Sequence, residues 1–265
     1  MQFADKTVVI TGAAGVFGRW IAAHFAAEGA TLCLSDRRGD ALEAVVGELG
    51  LDADNTLRHV TELTDHASLL ELIELVRMKW KAPDILVNNA GIYTKFGLLE
   101  MSFEDWDRVN DVNFRAPFVL TREMAKLMIA ENRRGSIINI SSGAARQMRN
   151  GSVPYCTSKS ALERLSKGFA LELAPHGIRV NVVEPGFAPG SSVSTLSDDY
   201  VASMLKRIPL GRSSGPDDAP NAIGFLCSDK ASFITGAVLS VDGGNSIGTF
   251  ESGQLGATPG TAAIR

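Results

Sequence analysis

Short apolar runs alternate with longer amphipathic stretches along nearly the whole chain. The short runs are T-V-V-I-T (7–11), T-L-C-L-S (31–35), T-L-R-H-V (56–60), I-L-V-N (85–88), S-I-I-N-I-S (136–141), R-V-N-V-V (179–183) and A-V-L-S-V (237–241). Most are β-branched and continuous rather than alternating, as parallel strands covered on both faces should be. Between them, apolar positions recur at helical spacing over about 16–28, 40–49, 66–80, 103–131, 155–174 and 217–227. Gly29 and Gly50 stand where helix C-caps belong, and Pro216 suits a first-turn position. This alternation predicts an α/β fold: a doubly wound parallel sheet of about seven strands, helices on both faces and right-handed crossovers. Such sheets bind ligands beyond the carboxyl ends of their strands, so the chemistry is expected along that edge.

Composition narrows the class without naming a reaction. The 265 residues suit one domain with a substantial core, and 45% hydrophobic against 21% charged is ordinary for a globular protein. A net charge of −4 with no basic stripe argues against nucleic acid. The opening M-Q-F-A-D-K carries no charged-then-apolar leader, and no apolar run approaches membrane-spanning length; a cytoplasmic protein with no membrane partner is the expectation. Cys33, Cys156 and Cys227 include no C-x-x-C pair, which suggests neither a disulfide framework nor a zinc site, and packing is favoured over chemistry for all three. Residues 1–190 are read as mainly cofactor and catalytic core and 189–212 as a substrate loop. Residues 246–265 are read as a Gly-, Ser-, Thr- and Ala-rich tail.

The first strand runs directly into T-G-A-A-G-V-F-G, where Gly12, Gly15 and Gly18 surround Phe17. Glycine there lets the backbone turn tightly and approach a pyrophosphate at the following helix N-terminus. A glycine-lined turn without ligand is the bland alternative. Asp36 ends the second strand, where a carboxylate can bond both adenosine ribose hydroxyls and repel a 2′-phosphate. NAD(H) is therefore favoured over NADP(H), although Arg37 and Arg38 follow and could pair with that phosphate.

Tyr155 and Lys159 are four apart in Y-C-T-S-K-S-A-L-E-R-L, on one helical face, and Ser142 closes the fifth strand at the same edge. A phenol must lose about three pKa units to serve near neutrality, roughly 4 kcal/mol of phenolate stabilisation. An adjacent ammonium and a nicotinium ring are suitable sources. Alone, Y-x-x-x-K is more often an ordinary helical pair. With Ser142, Asn88-Asn89-Ala90-Gly91, Asn113, Pro185-Gly186 and Asp242-Gly243-Gly244 in order, the chain resembles the short-chain dehydrogenase/reductase family over about residues 5–245.

That resemblance implies a Rossmann-type sheet and an NAD(P)-dependent oxidoreductase that moves a hydride between nicotinamide and a secondary alcohol or carbonyl substrate. It implies Tyr155 as general acid/base, Lys159 on the nicotinamide ribose and lowering the Tyr155 pKa, and Ser142 polarising the substrate oxygen. Asn113 would hold a water linking Lys159 to solvent; as a residue alone it reads equally as a helix-surface amide. Asn89, Ala90 and Gly91 would line the adenosine side, and Pro185, Gly186, Phe187 and Ala188 the nicotinamide. Three positions depart from the family pattern. Val16 stands where the compact branch has its middle glycine, the spacing of Gly15 being typical of the longer, sugar-nucleotide-modifying branch. Glu62-Leu63 replaces the common Asp-Val at adenine, and Gly190, with Ser191 adjacent, replaces the threonine at the carboxamide.

Selectivity is expected from Tyr93-Thr94-Lys95, the 143–154 loop and residues 189–212. Lys95, Arg146 and Arg149 could meet an anionic substrate group or be solvated loop charges, and Met148, Met204 and Leu205 suit an apolar lid or plain packing. The segment S-D-D-Y-V-A-S-M-L-K-R is predicted to form a short amphipathic helix that closes over ligand. The family is often tetrameric through its two long helices and last strand, which implies a homotetramer or homodimer with the tail laid on a partner. Two rival classes are an NAD-retaining isomerase or dehydratase and a non-catalytic dinucleotide-binding regulator.

Overall fold

A computed structural model of the chain describes residues 1–52, 56–93, 95–190 and 196–248. The first half runs β1 (Thr7–Thr11), α1 (Val16–Ala27), β2 (Thr31–Asp36), α2 (Gly39–Glu48), β3 (Leu57–Val60), α3 (His66–Trp80), β4 (Ile85–Asn88) and α4 (Phe103–Asn110). It continues through α5 (Ala116–Ala130), β5 (Ser136–Ile140), α6 (Val153–Leu173), β6 (Arg179–Pro185), α7 (Asp198–Leu205), α8 (Asp218–Cys227) and β7 (Val238–Val241). The strands form one seven-stranded sheet in the order β3-β2-β1-β4-β5-β6-β7, every neighbouring pair parallel. The order reverses between β1 and β4, and a crevice opens there at the carboxyl ends of the strands.

The continuous apolar strands are explained by two separate cores. Successive side chains of a strand point to opposite faces. In β1, Val8 and Ile10 pack with Ile21, Phe25 and Leu42 of α1 and α2, and with Ile223 of α8. Val9, between them, packs instead with Leu69 and Leu72 of α3, Leu120 and Met124 of α5, and Ala170 of α6. β1 therefore meets helices on both faces and does not alternate with water. The local punctuation agrees: Gly29 and Gly50 follow α1 and α2 with φ of 87° and 59°, values a side chain disfavours. Asp65 caps α3 by accepting from Ala67 N and Ser68 N. No helix of the described residues is long and apolar enough to cross a membrane.

Three expectations need correction. The helical pattern over 103–131 is not one helix: α4 and α5 are separated by a π turn, Asp111–Arg115. Pro117 has no N–H, so the helical bond it would make to the Asn113 carbonyl cannot form, and Ala116 N instead donates to Asp111 O, five residues back. Pro216 lies in the turn before α8 rather than in its first turn, where Pro220 stands. Ser142 also falls two residues beyond the end of β5, the Ser141 N–H to Val183 O bond being the last along that edge.

Candidate active site

The glycine-rich turn is fixed by close approach rather than by composition. Gly12 takes φ 63°, and a Cβ there would lie 2.8 Å from Ala90 Cα. A Cβ on Gly18 would lie 2.1 Å from Gly12 O, so the start of α1 sits directly on the preceding strand end. Gly15 is less constrained: φ is −78° and its imaginary Cβ meets only Gly12 O at 3.3 Å. It serves as N-cap of α1 with no side-chain bond, and the first N–H groups of the helix lack intrahelical acceptors. Phe17 turns its ring edge-on to Trp20, 5.3 Å between centroids, so only its backbone is available at the turn.

Asn89 has a structural part beside the expected coenzyme contact: its Nδ2 donates to Thr11 O (2.9 Å) and Gly12 O (3.0 Å), fastening the glycine turn to the end of β4. Thr11 completes that joint, its Oγ1 accepting from Asn89 N and Ala90 N at 3.1 Å each. Glu62 is likewise spent locally, accepting from Thr64 N and Oγ1, while Leu63 lies in the core beside α3. Only their backbones can reach an adenine. Asp36 is buried at the end of β2; its Oδ2 accepts from Ala14 N at 3.1 Å, and its Oδ1 from the N and Nε of Arg38. Arg37 is exposed. At the other end, a Cβ on Gly186 would lie 2.8 Å from Asp242 Cα, so Pro185-Gly186 is pinned beneath the closing turn of the chain. Ala188 follows half-buried, and Ser191 and Thr94 lie outside the described residues.

Tyr155 and Lys159 share one face of α6, with the Lys159 ammonium 5.9 Å from the Tyr155 ring centroid. The phenol meets the Ser142 hydroxyl. Ser142 Oγ accepts from Ala144 N at 3.2 Å, which leaves its own proton for another acceptor. Lys159 is buried; Nζ donates to Ile140 O at 2.7 Å, and burial lowers its pKa to about 8 against the opposing charge of Glu163. The phenol moves the other way: burial raises it, offset in part by the Ser142 bond and the charge of Arg149.

Asn113 is fully buried in the π turn, not on a helix surface. Its Oδ1 accepts from Ile92 N and its Nδ2 donates to Ile92 O, both at 2.8 Å, so the side chain clamps the turn after Gly91 rather than standing free for a water. Nδ2 also reaches Ser158 Oγ at 3.1 Å, joining α6. A Cβ on Gly91 would lie 3.3 Å from Lys159 Nζ and 3.5 Å from Asn113 Oδ1; the bare glycine leaves that ammonium a free approach. Orphaned helix N–H groups, a turn that a Cβ would fill and an ammonium beyond Gly91 together fit an extended dinucleotide.

Of the three candidate substrate cations, Arg146 is bonded to Glu184, Ser240 and Ser246 and is committed to the protein. Lys95 stands 5.3 Å over the Tyr200 ring of α7, and Arg149 is exposed near Tyr155. The predicted short helix is α7; Met204 is buried under it and Met148 is exposed. Sequence reasoning passed over Thr11, Glu163 and Glu184. Glu163 had a visible signal, continuing the four-residue step from Tyr155 and Lys159 along α6.

A family model described as enoyl-(acyl carrier protein) reductase matches residues 12–246. The chain is 37% identical to 3-oxoacyl-[acyl-carrier-protein] reductase of Thermotoga maritima, over 92% of this chain and 99% of that protein. It superposes on a short-chain type dehydrogenase/reductase of Mycobacterium marinum with TM-score 0.87 and 30% identity, over 93% and 98% of the two chains. A 3-ketoacyl-(acyl-carrier-protein) reductase of Brucella melitensis complexed with NADH gives TM-score 0.81 and 34% identity over 92% and 99%. A putative NAD(P)-dependent gluconate 5-dehydrogenase of Beutenbergia cavernae with bound NADP gives 0.85 and 33% over 92% and 98%. With the ordered motifs and the parallel sheet, these similarities place the chain in the short-chain dehydrogenase/reductase family, as an NAD(P)-dependent oxidoreductase acting on an alcohol or carbonyl group.

Proposed function

We propose that this protein reduces a secondary ketone with Tyr155 as proton donor, Ser142 as the second hydrogen bond to the substrate oxygen, and Lys159 as the residue that holds the nicotinamide ribose. The observation that carries the reading is the meeting of Tyr155 and Ser142 beside the Lys159 ammonium. A bound nicotinamide supplies the hydride or accepts it. As charge grows on the substrate oxygen, Tyr155 transfers its proton and the free proton of Ser142 holds the same oxygen. Lys159 spends one donor on Ile140 O and keeps the others for ribose hydroxyls. The Asn113 main-chain carbonyl, which Pro117 cannot bond, is the proposed acceptor for a water that re-supplies the proton. A phenol raised by burial is a proton donor at neutrality, which favours carbonyl reduction; alcohol oxidation is expected to rise as pH increases.

The cofactor is assigned as NAD(H). Asp36 offers a carboxylate at the ribose end, and Arg38, one of the two arginines that could pair with a 2′-phosphate, is turned onto that carboxylate. The similar structures include both coenzymes, so the assignment rests on Asp36 itself. The substrate class spans the 3-ketoacyl thioesters and hydroxy acids that the similar proteins' names describe. A homo-oligomer is supported by exposed apolar side chains: Phe118 and Leu171 on α5 and α6, and Phe225 and Leu239 on α8 and β7. A monomeric mass at micromolar concentration would refute it. The functional reading is tested with a panel of 3-oxoacyl thioesters, ketoacids and their alcohols, following NADH absorbance. Substrate-dependent consumption of NADH supports it; chemical conversion without net change in NADH contradicts it and restores the isomerase alternative.

A further inference from the structure

A second polar cluster lies behind the site and belongs to no step described above. Glu184 is on β6, the strand next to the edge strand β7, fully buried and directly opposite Ser240 of β7. Its Oε2 accepts from Arg146 Nη2 at 2.6 Å and from Ser240 Oγ. Its Oε1 has no hydrogen-bond partner among the described residues. Arg146 Nη2 also reaches Ser240 Oγ at 2.7 Å and Ser246 Oγ, and Ser246 is anchored in turn by the carboxylate of Asp242. Burying a carboxylate this deeply is unfavourable unless it is charge-paired and its oxygens are satisfied.

The cluster is joined to the reacting groups by a single turn. Ser142 begins and Arg146 ends the 3₁₀ turn Gly143–Ala145, closed by Ala145 N to Ser142 O at 2.8 Å and Arg146 N to Gly143 O at 3.3 Å. Ser160 of α6 donates to Ala145 O at 2.6 Å, tying the same turn to the helix of Tyr155. Gly143 rests against Ser246, where a Cβ would come within 2.7 Å of the serine Cβ. Glu163, one helical turn beyond Lys159, faces the cluster from α6: its Oε1 accepts from Ser141 Oγ at 2.7 Å, and its carboxyl interacts with that of Glu184.

We propose that Arg146, held by Glu184 and the turn Asp242–Ser246, is a positioning residue for Ser142, and that Glu163 completes the device by sharing one proton with Glu184. Two carboxyl groups in contact cannot both ionise cheaply, and a proton between them gives the orphan oxygen of Glu184 its partner. The groups facing the pair are then Arg146 from the loop, Ser141 from the end of β5, Ser240 from β7 and Lys159 from α6. The net charge left on the pair is matched by the guanidinium. Burial and Glu184 both push the Glu163 carboxyl up, as a shared proton requires.

The proposal rests on Ser142 and Tyr155 acting as described above, and the test separates the two. Arg146→Met is expected to lower kcat roughly ten- to a hundredfold, the cost of a misplaced catalytic group, with NADH affinity unchanged within about twofold. Arg146→Lys should recover part of that loss. If Arg146→Met does not fold, the pair Arg146→Met/Glu184→Gln, which leaves no uncompensated charge, is expected to show the same loss of kcat. Glu163→Gln keeps a donor between the two side chains but cannot titrate. In ketone reduction the wild type should lose activity in two steps as pH rises, one from Glu163 and one near the Lys159 value of about 8, and Glu163→Gln should keep only the second. Unchanged kcat in a folded Arg146 variant, or identical pH profiles, overturns the proposal. Tyr155→Phe in the same assay assigns the failure: if it is inactive while Arg146→Met is unaffected, only the positioning role falls; if it is active, the reading beneath it falls.

Discussion

The two ends of the crevice are built on different physical terms. At the dinucleotide end, the key positions are dictated by close contact: Gly12 against Ala90, Gly18 against Gly12 O, and the Asn89 amide on Thr11 O and Gly12 O. At the substrate end, Lys95 and Arg149 stand at the rim and Gly190, with φ 102°, has nothing near it. The first end must fit an invariant molecule, and its residue types follow from steric necessity. The second is shaped by loops whose side chains have many tolerable alternatives. The contrast explains why the coenzyme class can be read from this chain and the substrate cannot.

Glycine substitutions break the comparison most directly. Gly18→Ala places a methyl 2.1 Å from Gly12 O and is expected to abolish NADH binding or folding, read by fluorescence titration and thermal melting. Gly190→Ala meets no atom and only a strained φ, with an expected cost of about 1 kcal/mol and an unchanged coenzyme affinity. Equal effects of the two would erase the distinction between the ends.

Lys159 provides the next largest effect, with opposite signs for activity and stability. Its folded pKa, about 8, lies below the unfolded value of 10.5, so the unfolded chain binds the proton more tightly. Burial therefore destabilises the protein below pH 8, and the penalty is relieved as pH rises from 8 to 10.5. Lys159→Met should be inactive yet more stable at pH 7 by up to about 3 kcal/mol, less the lost bond to Ile140 O. Melting curves at pH 7 and pH 10.5 check this, the difference from wild type shrinking at the higher pH. A variant that is less stable at pH 7 would show that Lys159 is a structural ion rather than one held for function.

Asp36→Ala sharpens the coenzyme end and is the smallest of the expected effects. Loss of the carboxylate removes the charge that repels a 2′-phosphate and should shift the NADH-to-NADPH ratio of kcat/KM toward NADPH by about tenfold, close to 1.4 kcal/mol. An unchanged ratio would remove the basis for assigning NAD(H).

The sheet was legible because seven continuous apolar runs demand cover on both faces, and the structure supplies it with two helical cores. The same reading missed the break between α4 and α5, since apolar periodicity continues through the π turn; only Pro117, with no N–H to give, marks it. Residue types at the site were legible, but their partners were not. Asn89 reads as a coenzyme contact and also fastens the glycine turn; Asn113 reads as a helix-surface amide and is buried, its side chain clamping Ile92. Glu184 gave almost no signal, because a carboxylate inside a strand is defined by the arginine brought to it from another segment.

The central claim is that a buried phenol, meeting Ser142 beside Lys159, transfers the proton that accompanies hydride transfer. Tyr155→Phe removes only that hydroxyl, and single-turnover NADH oxidation with a saturating ketone measures the step itself. The account expects a rate at least about a hundredfold lower with NADH affinity retained; a rate within a few fold of wild type would contradict it.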